Sequence, residues 1–155
     1  MFTAINLKKM FTSIFIVELI GAVALIIAGS AAFRMWREII TPDLAASINI
    51  LIIIWVVLFA MCGVAVYFVQ SSKNKKGILN WFWIQMFFMV IWPILFFNLR
   101  AFGFSAIWLI ILIALIAVTI KKFSCASRGA GYLLIPYLLF YIYLLYLNYG
   151  TWMLN

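Results

Sequence analysis

Apolar residues run through this chain in long blocks, and polar residues gather in the short gaps between them. The blocks near residues 11–33, 48–70, 78–97, 104–120 and 131–149 each approach the roughly 20 residues that a helix needs to cross the hydrocarbon layer. They lack the alternation of lipid-facing and lumen-facing positions that barrel strands require, so helices are expected and not a β-barrel. The pattern predicts an all-α fold, a polytopic bundle of five transmembrane helices forming one domain over residues 1–155. The first block follows Lys8 and Lys9 as the core of a signal peptide would, but its apolar stretch is too long for that, and it is read as a retained span.

Composition agrees with the pattern. Hydrophobic residues make up 70% of the chain and charged residues 9%, too few to cover a water-soluble core, so the lipid bilayer is the expected solvent. The net charge of +8 does not point to nucleic acid, because the basic residues flank the spans. With five crossings, Lys8, Lys9, Lys73, Lys75, Lys76, Lys121, Lys122 and Arg128 fall on one face with no acid beside them. Arg34, Arg37 and Arg100 share the other face with Glu38 and Asp43. This bias predicts a cytoplasmic amino terminus and an outside carboxy terminus. A start without a targeting extension adds to the expectation of a bacterial cytoplasmic membrane. An anionic-lipid site is a second reading of the lysine clusters, although orientation alone accounts for them.

Several chemistries are removed by what is missing. Without histidine there is no ordinary haem or metal ligand, and Cys62 and Cys125 are too few for a zinc site, so no metal site and no required cofactor are assigned. Neither a Ser/His/Asp nor a Cys/His arrangement can form, and no catalytic residue is assigned. Glu18 lies inside the first span, where an ionisable group is either functional or leaning toward the headgroups. Ala24, Ala28 and Ala32 recur every four positions and allow close approach of another helix. Pro93 and Pro136 interrupt the third and fifth spans, where a missing backbone donor bends a helix.

Aromatic residues reach 19% and include seven tryptophans. Trp81, Trp83 and Trp152 lie near span ends, where indoles favour the membrane interface, whereas Trp55 and Trp92 lie deeper. Order and spacing then become informative. Trp36 and Pro42 open and follow the first loop, Trp55-Val-Val-Leu-Phe59 with Gly63 occupies the second span, and Gln85, Trp92, Phe96 and Phe97 the third. Ala106 and Thr119 lie in the fourth, and Leu134, Pro136, Tyr137, Leu147, Asn148 and Asn155 run along the fifth. In this register the chain resembles the TspO/MBR family, the translocator proteins or tryptophan-rich sensory proteins.

The resemblance implies a five-helix bundle, commonly a homodimer, with a cavity capped by the first loop that binds porphyrins, other tetrapyrroles and hydrophobic small molecules. Carried onto this sequence, the ligand-binding set is Trp36, Trp55, Phe59, Trp92, Phe96, Tyr137, Phe140, Leu144 and Asn148, with Arg34, Arg37 and Arg100 at the rim to meet propionates. Flat aromatic faces suit a flat macrocycle, and the lack of histidine favours a metal-free, protoporphyrin-type ligand. The sequence also departs from the family. Ala46 and Ser47 replace a Pro-Pro pair, which predicts a less rigid loop. Met89 replaces an asparagine, and Leu144 a smaller residue. Phe140 stands where members that break down porphyrin carry a tryptophan. Trp152 and Met153 leave the sterol-recognition pattern without its basic residue. The reading is a receptor or carrier for porphyrin-like lipophiles, with a stress or tetrapyrrole-level sensor as one form of it. A light- and oxygen-dependent porphyrin-degrading enzyme and a ligand-free partner protein with a filled pocket are the alternatives.

Overall fold

The computed structural model describes residues 6–70 and 72–155, and these form a helical bundle. Helix α1 spans Leu7–Glu38, α2 Ile48–Val69, α3 Lys75–Pro93 with a π-helical turn at Ile94–Asn98, α4 Phe102–Ala126, α5 Arg128–Leu133 and α6 Ile135–Leu154. Taken with their continuations, they supply five segments long and apolar enough to cross a membrane. Five spanning helices are expected and five occur among the described residues; all but α2, which starts at Ile48 and ends at Val69, run beyond their apolar blocks. The fifth span is divided at Leu134, just before Pro136.

Neighbour relations close the bundle. Helix α1 packs on α2 and α3, α3 on α4, α4 on α6, and α5 lies against α2 and α4. Two faces result. The amino-terminal face carries the starts of α1, α3 and α5 with the ends of α2 and α4. The loop face carries the first loop, residues 39–47, and the end of α6.

In lipid, helices associate through close van der Waals packing, so small residues decide where they touch. Gly63 of α2 faces the main chain of Ile14 on α1, where a Cβ would clash with backbone. A Cβ on Gly21 would fall 2.6 Å from the Phe59 ring. Ala24, Ala28 and Ala32 are buried on this same side of α1, as the four-residue stripe predicts. Both cysteines are free thiols, Cys62 buried and Cys125 exposed.

The loop is held more firmly than the loss of the Pro-Pro pair predicts. Tyr143 donates to the Leu44 carbonyl at 2.8 Å and accepts from the Ala46 amide at 3.0 Å. Tyr146 donates to the Asp43 carbonyl, and the Asn155 side chain pairs with both the amide and the carbonyl of Ile40 at 2.9 Å. Tyrosines and an amide on α6 thus do the work that prolines would do by restricting the backbone.

Candidate functional site: an aromatic cavity in the loop-face half

Two departures from α-helical geometry lie opposite each other in the loop-face half. At Gly29 the backbone of α1 adopts φ 47° and ψ −143°, a left-handed conformation that glycine reaches without Cβ strain. On the neighbouring α3, Pro93 supplies no amide hydrogen, and the chain after it widens into a π-turn closed by the Leu99 amide on the Ile94 carbonyl at 2.9 Å. Asn98, at the end of that turn, donates to the Ile27 carbonyl at 3.2 Å, partnering a main-chain group beside the break in α1. Irregular backbone at membrane depth persists only where protein or a cavity receives it, and here both conditions are met.

Between these departures lies a cavity of about 390 Å³. Its wall comes from α1 (Leu25, Ala28, Gly29, Ser30, Ala32, Phe33 and Trp36), α2 (Ile48, Leu51, Ile52 and Trp55), the end of α3 and the π-turn (Trp92, Phe96 and Phe97) and α6 (Phe140, Leu144, Leu147 and Asn148). Trp92 and Phe96 stack at 5.3 Å with their planes 18° apart, and Phe97 and Phe102 meet the Phe96 ring edge-on. The surface is almost wholly apolar and rich in flat π-faces.

Polar groups at the wall divide into spent and free. Asn148 is buried, and its amide sits in the orientation in which Nδ2 donates to the Phe102 carbonyl at 2.8 Å. Its Oδ1 then accepts from the Trp92 indole N–H at 3.1 Å and from the Ser105 hydroxyl at 2.8 Å. That knot ties α3, α4 and α6 together and consumes both the amide and one indole. The Trp55 indole N–H, by contrast, is buried and has no hydrogen-bond partner among the described residues.

Of the nine expected ligand-binding residues, Trp36, Trp55, Trp92, Phe96, Phe140, Leu144 and Asn148 meet at the cavity. Phe59 and Tyr137 do not. They are 1% and 0% exposed, pack edge-on with ring centroids 6.0 Å apart, and form a floor below it. Asn148 acts on helix packing as well as on the wall. The three arginines are not wall residues either: Arg34 and Arg37 turn to the exposed side of α1 while Trp36 turns inward, and Arg100 pairs with Glu38. Met89 is fully buried away from the wall, and the cavity is open with Leu144 in place. No residue of the loop between Ile39 and Ser47 lines the cavity.

Sequence reasoning missed the α1 contribution, Leu25 to Phe33, and with it the break at Gly29. The adjacent Gly29-Ser30 pair was the available signal, since Gly/Ser pairs are among the few identifiable causes of helix kinks.

Comparison with known proteins agrees with this architecture. The model of the TspO/MBR family matches residues 13–153. The tryptophan-rich protein TspO of Chlorobaculum tepidum is 30% identical over 106 residues, an alignment covering 66% of this chain and 67% of that protein.

Proposed function

Because the chain belongs to the TspO/MBR family, we propose that it is a membrane receptor or carrier for flat, lipophilic, porphyrin-like ligands bound in the loop-face cavity. The observation that carries the reading is the cavity itself, an apolar space walled by three indoles and four phenyl rings with a buried, unpartnered indole N–H on Trp55. Its volume lies near the lower end of the roughly 300–1,000 Å³ typical of small-molecule sites. Stacking on Trp36, Trp55 and Trp92 supplies affinity, and the Trp55 N–H orients one acceptor of the ligand. Phe140 in the wall offers no oxidisable indole, which supports binding over photochemical degradation. The lysine-rich amino-terminal face is cytoplasmic under this reading, which puts the cavity in the outer leaflet. A homodimer is the assembly that the family resemblance suggests.

The test is a titration of detergent-purified protein with protoporphyrin in the dark, following tryptophan quenching. Saturable quenching is expected, weakened about tenfold in Trp55→Ala because a stacking face and a donor disappear together. Absence of saturable quenching in the parent protein would refute the reading. Illumination of the complex should not bleach the pigment faster than free porphyrin; accelerated loss would replace the receptor with the enzyme.

A further inference from the structure

A second cleft opens at the opposite end of the bundle, on the amino-terminal face, with a volume of about 840 Å³. Its walls are α1, the end of α2 and the start of α3. Four lysines surround it: Lys8 and Lys9 from α1, Lys75 and Lys76 from α3. Asn6, Thr12, Ser13, Tyr67 and Gln70 give it a polar lining. That lining is organised: the Tyr67 hydroxyl accepts from the Asn6 amide at 2.9 Å, and the Gln70 amide donates to the buried Ser13 hydroxyl at 2.9 Å, fixing α1 to α2 beneath the lysines.

Charge makes this arrangement incomplete by itself. The chain has three acidic residues, of which Glu38 and Asp43 lie at the loop face and Glu18 lies on α1 two residues past the last α1 wall residue, Ile16, outside the wall. The cleft wall contains no carboxylate, so four ammonium groups share one concave surface without an internal counter-ion. Helices α1 and α3 both start here, and neither has an acidic residue in its first turn. The amide of Lys9 is capped by the Asn6 side chain at 3.1 Å, whereas Asn74 makes no side-chain cap on α3. The first amides of α3 therefore add the positive end of a helix dipole to the same cleft.

Orientation signals alone need no such convergence. Lys73, Lys121, Lys122 and Arg128 belong to the same face by sequence and serve that purpose from outside the cleft. What distinguishes the other four is their placement around one polar hollow at the end of the membrane-spanning segments. We propose that this cleft binds the phosphate of an anionic phospholipid headgroup, with Lys8, Lys9, Lys75 and Lys76 meeting its charge and the amides at the start of α3 its oxygens. The site is independent of the aromatic cavity and does not rest on the ligand assigned there.

The test follows binding of dioctanoyl phosphatidylglycerol to the detergent-purified full chain, with dioctanoyl phosphatidylcholine and inorganic phosphate as separate arms. Two variants are compared, Lys75→Gln/Lys76→Gln and Lys121→Gln/Lys122→Gln, which remove the same charge from the same face and so bear equally on topology. The expected result is saturable binding of phosphatidylglycerol, weakened about tenfold or more in the first variant, little changed in the second, and falling with added salt. Inorganic phosphate competing at millimolar concentration would assign the same site to a soluble phosphate. Equal loss in the two variants, or equal binding of phosphatidylcholine, would overturn the proposal, because general surface charge or acyl-chain contact would then explain the binding.

Discussion

The two halves of this bundle are built from the same apolar alphabet and end as different materials. Toward the amino-terminal face the helices touch through glycine, with Gly63 against the Ile14 backbone and Gly21 against the Phe59 ring, and the side chains between them are fully buried. Toward the loop face α1 breaks at Gly29, α3 widens after Pro93, and about 390 Å³ stays open between them. One glycine removes space and the other creates it. A glycine in a membrane helix thus has no single meaning; its effect is set by whether its φ stays helical.

The contrast is broken most severely by filling the tight half. Gly63→Leu forces side-chain atoms into the Ile14 backbone and should cost more than about 3 kcal/mol, the upper part of the range for overpacking, because main chain cannot step aside as a rotamer can. Thermal unfolding in detergent, followed by circular dichroism, should show loss of most of the folded population. A near-parental melting curve would mean that the two halves are equally soft.

In the open half a truncation of similar size should behave differently. Leu144→Ala removes atoms that face existing space, so its cost should fall near the bottom of the range for core leucines, about 2 kcal/mol. The enlarged cavity should meanwhile hold a bulky tetrapyrrole more tightly in the same quenching titration. Unchanged affinity would place the ligand away from α6.

The smallest effect should come from Asn98→Ala, which releases the Ile27 carbonyl near the break. About 1 kcal/mol of stability is at stake, the net worth of one hydrogen bond. The sharper readout is hydrogen exchange, expected to rise in residues 28–36 and not in residues 8–20. A uniform rise would show that α1 moves as a single rod.

Much of the fold was legible because hydropathy over 20 residues is a strong signal and each of the five blocks carries it. The break at Gly29 was not, since the stripe Ala24, Ala28, Ala32 keeps its helical period straight through a backbone turn that leaves side-chain patterning intact. Seven of the residues that family register proposes line the cavity. Phe59 and Tyr137 lie off the wall because register reports which side of a helix faces inward, not how deep the cavity reaches along it. The rim arginines lie off the wall for the complementary reason. Arg34 and Arg37 are two positions back and one forward from Trp36, and at 100° per residue neither shares its direction. Convergence of Lys8, Lys9, Lys75 and Lys76 around one hollow joins residues far apart in sequence, which no local pattern encodes.

The tyrosine clamp on the first loop makes mechanical coupling a property of the last helix. Tyr143 and Tyr146 grip Leu44, Ala46 and Asp43 from the same stretch of α6 that presents Phe140, Leu144 and Leu147 to the cavity. Loop and helix therefore travel together, and a push on the buried side of α6 is displayed at the membrane surface by a segment that does not itself line the cavity.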